Sequence, residues 1–510
     1  MTARRFLALA AGAALHAGCT NMRPAEPVGA PPGHERAWAV PQTASYAALT
    51  AARREPEAAN GHPAESPPAI DPDRAYELAE LIDIAERTHP ETRIAWERAR
   101  QAALAMGMAQ SVHAPMLSAK ASAIYQHVPL PLPKTILTPD GFFVADTQAF
   151  LPALTLKWLL FDFGGKEASI DVTRETLAAA NFGFNATHQK VVFEVSRAYY
   201  GLSAAQGKVQ VARAAQKQLQ VVLDATEARR GRGLATMPDV LQARERNARA
   251  AYDLQAALAG EIDARMGLLE AMGVTPTKPL RIADINARAV PAQFESAADA
   301  LVERALLQRP DLLARAAVLR SREAGVRKAE SEFYPKVLVS ADLAQNIGRI
   351  RTSHVPGWAT VNEPTYGAGL LLEVPLYDAG LRNQRLGVAQ SELRVAEHEL
   401  EQARDQATRQ VVKAVEDVKS ALRQREAASA LLAAAQASYD AAIDSYRRGV
   451  ASFVDVTNAE AALTRARTSD TDATSLVYTT MAALAFGTGD LVPAGADGSS
   501  GGEGPAGRKP

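Results

Sequence analysis

The sequence repeats itself at long range, so any fold for it must hold two copies of one unit. The stretch from Leu81 to Leu117 aligns with the stretch from Leu301 to Val337. Pro90 then falls on Pro310 and Pro115 on Pro335, each pair 220 residues apart. Farther on, Leu160-Phe161-Asp162-Phe163-Gly164 matches Leu376-Tyr377-Asp378-Ala379-Gly380 at an offset of 216. The same offset carries the segment from Arg232 to Val240 onto the segment from Arg448 to Val456. The offset changes between Pro115 and Leu160, where a variable loop is expected.

Each copy predicts the same order of elements. A helix follows the first proline, over Glu91 to Ala114 and Asp311 to Tyr334, and Pro115 or Pro335 ends it. Proline donates no backbone hydrogen bond and restricts the residue before it. Two short alternating segments come next. A long proline-free helix then runs from Lys166 to Arg230, and again from Leu381 to Arg448. At a rise of about 1.5 Å per residue each helix would be roughly 100 Å long. A compact domain has no need of that length, so an extended helical bundle or tunnel is expected. In the second copy Leu386, Ala389, Leu393, Ala396, Leu400 and Ala403 begin a seam that continues to Ala421. Its spacing averages about 3.5 residues, the period of a left-handed coiled coil. A Gly-containing turn after each long helix reverses the chain into a further helix.

The alternating segments are expected as strands at about 117–127, 150–160, 337–347 and 366–376. Leu117, Ala119, Ala121, Ala123 and Tyr125 alternate with Ser118, Lys120 and Ser122, and Leu154, Leu156 and Trp158 alternate with Thr155 and Lys157. The second copy does likewise, with Val337, Val339, Ala341 and Leu343, then Ala368, Leu370 and Leu372. One apolar and one polar face is the pattern of a transmembrane barrel strand, and about 9–11 tilted residues cross the hydrocarbon. Four strands cannot close a barrel, which needs about eight or more. Open sheet edges are not tolerated in lipid. A barrel therefore requires several copies of the chain.

Composition limits the alternatives. In 510 residues, 56 basic and 57 acidic side chains nearly cancel, so no nucleic-acid partner is indicated. A hydrophobic fraction of 47% with 22% charged residues suits a folded chain. Residues 1–18 read as a signal peptide: Arg4 and Arg5 precede an apolar stretch too short to span a membrane. Cys19 is the one cysteine and follows Ala17 and Gly18, which resembles a bacterial lipoprotein signal with Cys19 as the acylated residue. His16 departs from that signal, and ordinary cleavage after Ala17 is the other reading. Residues 19–73 form a Pro- and Ala-rich tether and 491–510 a flexible tail. The two repeats occupy 74–280 and 301–490, with 281–300 connecting them. No phosphate-binding glycine loop and no HExxH motif occurs, and no cofactor is implied. His34 and His62 lie in the tether, and His398 with Glu401 is one turn of a polar helix face.

The ordered, doubled motifs resemble the TolC-like outer-membrane efflux family over residues 74 to 490. They comprise the proline-bounded helix, the hairpin ending in Trp158 to Gly164 or Val374 to Gly380, and the Arg-Gly turn leading to Asp-Val. The resemblance implies a mainly α fold with a membrane β-barrel: a homotrimeric α-helical tunnel topped by a shared twelve-stranded barrel. It also implies an outer-membrane conduit with a long periplasmic extension, not an enzyme, working with a periplasmic adaptor and an inner-membrane pump. Drugs, metal ions and polypeptides all pass through channels of this shape. By the same resemblance the periplasmic tip lies at the turns around Gly233 and Gly449, and its gate involves Asp239, Tyr446 and Asp455. Asn458 stands where the family carries a second acidic ring position, and Ala451 where it often carries arginine, with Arg447 and Arg448 nearby. Helix capping remains the other reading of Asp239 and Asp455, because aspartate is favoured in the first turn of a helix. The rival to the channel is a soluble periplasmic coiled-coil adaptor.

Overall fold

The computed structural model describes residues 29, 33–35 and 70–491, except 72, 132, 135, 137–140, 277–278, 284–293, 295–296 and 354. Cys19, the signal peptide, His62, most of the tether and nearly all of the tail lie outside the described residues.

The elements come in two matched series. The first comprises β1 (Ala75–Tyr76), α1 (Leu78–Thr88), α2 (Pro90–Ser111), β2 (Met116–Pro131), β3 (Phe142–Phe161), α3 (Gly165–Gly231) and α4 (Met237–Ala271). The second comprises β4 (Arg281–Ile282), α5 (Ala298–Gln308), α6 (Pro310–Ser331), β5 (Lys336–Thr352), β6 (Val355–Glu373), α7 (Leu381–Arg447) and α8 (Phe453–Thr488). The segment expected to connect the repeats thus already holds β4 and the start of α5. Helices α2 and α6 begin on their prolines, one residue before the expected start. There the missing N–H costs nothing, since the first helical amides have no intrahelical partner. Both end at a serine whose hydroxyl donates to the carbonyl of the residue three before it, at 2.7 Å.

The chain divides into two compact units. The first includes Gln101–Leu177 and Ala317–His398 and contains a four-stranded antiparallel sheet in the order β2-β3-β5-β6. The two hairpins therefore join through β3 and β5, leaving β2 and β6 as edges. The strands extend well past the segments expected at 117–127, 150–160 and 337–347. The last strand is displaced, ending at Glu373 and not near 376. Pro375 lacks the N–H that would continue the ladder.

At the junctions from sheet to long helix, Phe163 (φ 55) and Ala379 (φ 56) adopt left-handed backbone, each followed by a glycine. Two non-glycine residues in this costly conformation at repeat-equivalent positions mark a turn imposed by the fold. In the second junction the Asp378 carboxylate accepts hydrogen bonds from the amides of Gly380 and Arg382, both at 3.1 Å.

The second unit contains the described parts of Gly29–Arg100, Ala178–Ala316 and Glu399–Pro510. Its cores are built by equivalent residues of the two repeats. Leu81, Ala85, Val195, Tyr199, Leu202 and Leu268 belong to one apolar cluster, and Leu301, Ala305, Val411, Val415, Val418 and Leu484 to another. The duplication read in the sequence is therefore a duplication of packing. Along α7 the seam from Leu386 to Ala421 is half-buried or buried at every position named above, and its neighbours are mostly exposed. Gly273 (φ 67) and Gly489 (φ 86) end α4 and α8. A Cβ at Gly273 would stand 2.8 Å from the Cα of His89, so both conformation and space require glycine there.

Candidate functional site

Two places carry the expectations for function: the apolar face of the sheet, in the first unit, and the helix ends around Gly233 and Gly449, in the second.

Strand register decides which side chains share a face. Leu156 pairs with Leu117 and with Ala341, and Leu154 with Ala119 and Leu343. Val339 pairs with Leu370, and Leu343 with Tyr366. All four apolar sets read from the sequence therefore lie on one face of the sheet. Lys120, Lys157, Asp342, Glu363 and Glu373 fall on the other. Leu117, Tyr125, Leu154, Leu343, Tyr366, Leu370 and Leu372 are exposed in the single chain. Aromatic residues bound this band. Trp158, whose indole N–H donates to the His113 carbonyl at 2.9 Å, stands near the helical end of the strands. Tyr125, Phe150 and Trp358 stand toward the hairpin turns. Aromatic residues at both limits of an apolar band are the arrangement that suits two membrane interfaces. No described helix is long and apolar enough to cross a membrane.

At the other place, Val222, Leu223, Tyr439, Tyr446, Phe453, Val456 and Leu463 pack into one cluster drawn from α3, α7 and α8, which Ala243 of α4 joins. The turns that expose Gly233 (φ 72) and Gly449 (φ 83) lie beside it. Each turn opens a helix through a capping box. Thr236 and Ser452 are the caps, and Asp239 and Asp455 return the hydrogen bond to the cap amides at 2.8 and 2.9 Å. The Ser452 hydroxyl, and then its backbone amide, hold the Asp455 carboxyl below its ordinary range; Thr236 does the same for Asp239. Carboxyls lowered in the folded state stabilise it at neutral pH, and that stabilisation is lost only in acid, as pH falls through the lowered values. Both aspartates therefore cap helices, and within one chain neither gains proton affinity.

Asp455 and Asn458 are nevertheless both exposed, one helical turn apart on α8. Arg447 and Arg448 are exposed at the end of α7, with Arg447 3.9 Å from Asp444. Tyr446 is only 5% exposed and does not meet Asp239. Instead its hydroxyl lies 3.3 Å from that of Thr226, and Arg229 donates to its carbonyl at 2.8 Å with the guanidinium 4.6 Å over its ring.

Sequence reasoning missed this Thr226–Arg229–Tyr446 contact, and it also missed Glu460. Glu460 is 5% exposed on α8. Burial pushes its carboxyl up, against the Thr464 hydroxyl donating at 2.8 Å and the charges of Arg467, Arg246 and Arg465. Among the described residues no group of three or more His, Cys, Asp or Glu side chains is gathered as for a metal ion.

Comparison with known proteins fits this geometry. The family model described as outer membrane efflux protein matches residues 81–274 and 301–490. Protein CyaE of Bordetella pertussis is 29% identical over 332 residues, covering 64% of this chain and 65% of that protein. The chain thus spans slightly less than two thirds of that relative's length. A membrane protein from Pseudomonas aeruginosa superposes with a TM-score of 0.69 at 20% identity, over 81% of this chain and 93% of that one. The outer membrane protein VceC from Vibrio cholerae gives 0.66 at 20% identity, over 81% and 96%.

Proposed function

The chain belongs to the TolC-like outer membrane efflux protein family, and from that premise we propose that it is the channel subunit of an export system. It is a passive conduit set in the outer membrane. The observation that carries this is the register of the sheet: one largely apolar face, with aromatic residues toward both limits, on four strands whose outer edges are open. A sheet with open edges is excluded from lipid, so copies of the chain must pair β6 of one with β2 of the next. Three copies give twelve strands. The helices then extend into the periplasm, where an adaptor and an inner-membrane pump engage them, and acylated Cys19 adds a lipid anchor.

Purified from outer membranes, the protein should run as an oligomer that resists sodium dodecyl sulfate until heated, and it should open ion-conducting pores in planar bilayers. Release by osmotic shock as a pore-inactive monomer would refute the proposal and favour a soluble adaptor.

The gate lies at the turns around Gly233 and Gly449. Asp455 has a second role there: repeated around the pore axis, its exposed carboxylate makes an anionic ring. Capping and ring can be separated. Asp455→Asn keeps an acceptor for the Ser452 amide but loses the charge, and should weaken block by trivalent cations several-fold. Ser452→Ala keeps the charge and loses the cap, at about 1 kcal/mol; it should lower the melting temperature and leave block unchanged. Unaltered block in Asp455→Asn would remove the residue from the pore.

A further inference from the structure

The apolar outward face ends short of the strands. On β2 it stops at Tyr125, on β3 at Phe150 and on β5, where Gln345 interrupts it, at Ile347, after about the length a tilted strand needs to cross hydrocarbon. Hydrogen-bonded pairing continues beyond, toward the hairpin turns, with His127 opposite Asp146 and Asp146 opposite Arg351. The next positions on this face, His127, Gln148, Asp146, Arg349 and Arg351, are polar and mutually engaged, and Val144 and Phe142 follow them on β3. Asp146 accepts from Arg351 at 2.7 Å and lies 2.6 Å from the His127 ring. Arg349 donates through Nε to Gln148 at 2.8 Å. Both guanidiniums lie over the Trp358 ring, at 4.7 and 5.1 Å.

We propose that Arg349 and Arg351, braced on Trp358, bind the phosphate of a lipid headgroup in the outer leaflet. The proposal rests on the channel reading, which sets the hairpin ends outward and this face toward lipid. Three observations support it. The first is depth: Arg349 and Arg351 occupy the first and second outward positions past Ile347, the level of headgroups. The second is charge. The patch holds two guanidiniums and one carboxylate: Arg351 pairs with Asp146, whereas the partner of Arg349, Gln148, is neutral, so a net positive charge remains; Arg349 and Arg351 are both exposed. The third is donor geometry. The Arg349 bond to Gln148 uses Nε alone and leaves both terminal nitrogens, while Arg351 keeps Nη1 beyond its two bonds to Asp146. Planar guanidinium edges match phosphate oxygens in pairs. Stacking on the indole holds them flat at low entropic cost.

The test uses the purified full-length oligomer in neutral detergent micelles containing either phosphatidic acid or diacylglycerol with the same acyl chains, with binding counted by native mass spectrometry. Wild type should bind phosphatidic acid about tenfold more tightly than diacylglycerol, as expected for one hydrogen bond to a charged group. Inorganic phosphate in solution should not compete at equal concentration. Arg349→Gln leaves the Asp146 pairing intact and should abolish the preference, and Arg349→Lys should keep part of it. Equal binding of the two lipids by wild type, an undiminished preference in Arg349→Gln, or competition by free phosphate would each overturn the site. Pore recordings on the same preparation separate the two readings. Pores without lipid preference refute only this site, whereas no pores and no resistant oligomer refute the channel itself.

Discussion

Leu154→Arg should eliminate the detergent-resistant oligomer from the outer membrane, while Thr155→Arg, one residue along, should leave it nearly intact. Leu154 lies in the middle of the outward apolar run on β3, paired with Ala119 and Leu343, two small or apolar neighbours with nothing to offer a guanidinium. An arginine on the lipid face near the bilayer midplane costs about 2–4 kcal/mol. Every copy in the barrel adds the same cost, so the penalty approaches the whole stability of a typical domain. Thr155 pairs with Ser118 and Asp342 on the opposite face. An arginine there meets water and a carboxylate. Measuring heat-modifiable oligomer in membranes for both variants checks the assignment of faces. Survival of Leu154→Arg with loss of Thr155→Arg would mean that the faces are reversed.

How far the sequence discloses this arrangement depends on the range of the signal. Proline and glycine act locally, and they place α2, α6 and the turns at Gly233 and Gly449 within a few residues. Alternation placed the apolar faces, and register bears this out, since residues of one parity share a face. Strand length was not legible. At His127, Asp146, Arg349 and Arg351 the outward residues become polar, so the hydrophobic alternation ends while the ladder continues. On β6 the opposite happened: Val374 and Leu376 prolong the pattern, but Pro375 cannot prolong the ladder. The capping boxes were half legible: aspartate three residues after Thr236 or Ser452 is a local motif, and aspartate in a first helical turn also suits a pore-lining position. The Arg229–Tyr446 contact left no local trace, because its partners stand on different helices. Burial of Glu460 was hidden for the same reason: the helices that cover it come from both repeats.

That contact carries the second large expectation. Arg229→Ala should raise the open fraction of single channels by an order of magnitude or more. Arg229 lies in the last turn of α3, where a cation also favours the helix dipole. Its donor reaches the Tyr446 carbonyl, near the end of α7, which also accepts from the Gly449 amide at 3.0 Å. It is thus a charge-assisted bond that ties the ends of two long helices, reinforced by the stacked ring. The Nε of Arg229 is buried without a partner, so the side chain keeps this place against a desolvation cost. Removing such a bond costs about 1.5–3 kcal/mol. If the bond exists only in the closed state, the closed-to-open ratio shifts about ten- to hundredfold. Tyr446→Phe keeps the ring and the carbonyl and loses only the long hydroxyl contact with Thr226, so its effect should be small. Arg229→Lys keeps a charged donor without the planar stack and should fall between. Recordings at constant voltage give the open fraction directly. An Arg229→Ala channel as closed as wild type would show that α3 and α7 separate elsewhere, or that the contact persists in both states.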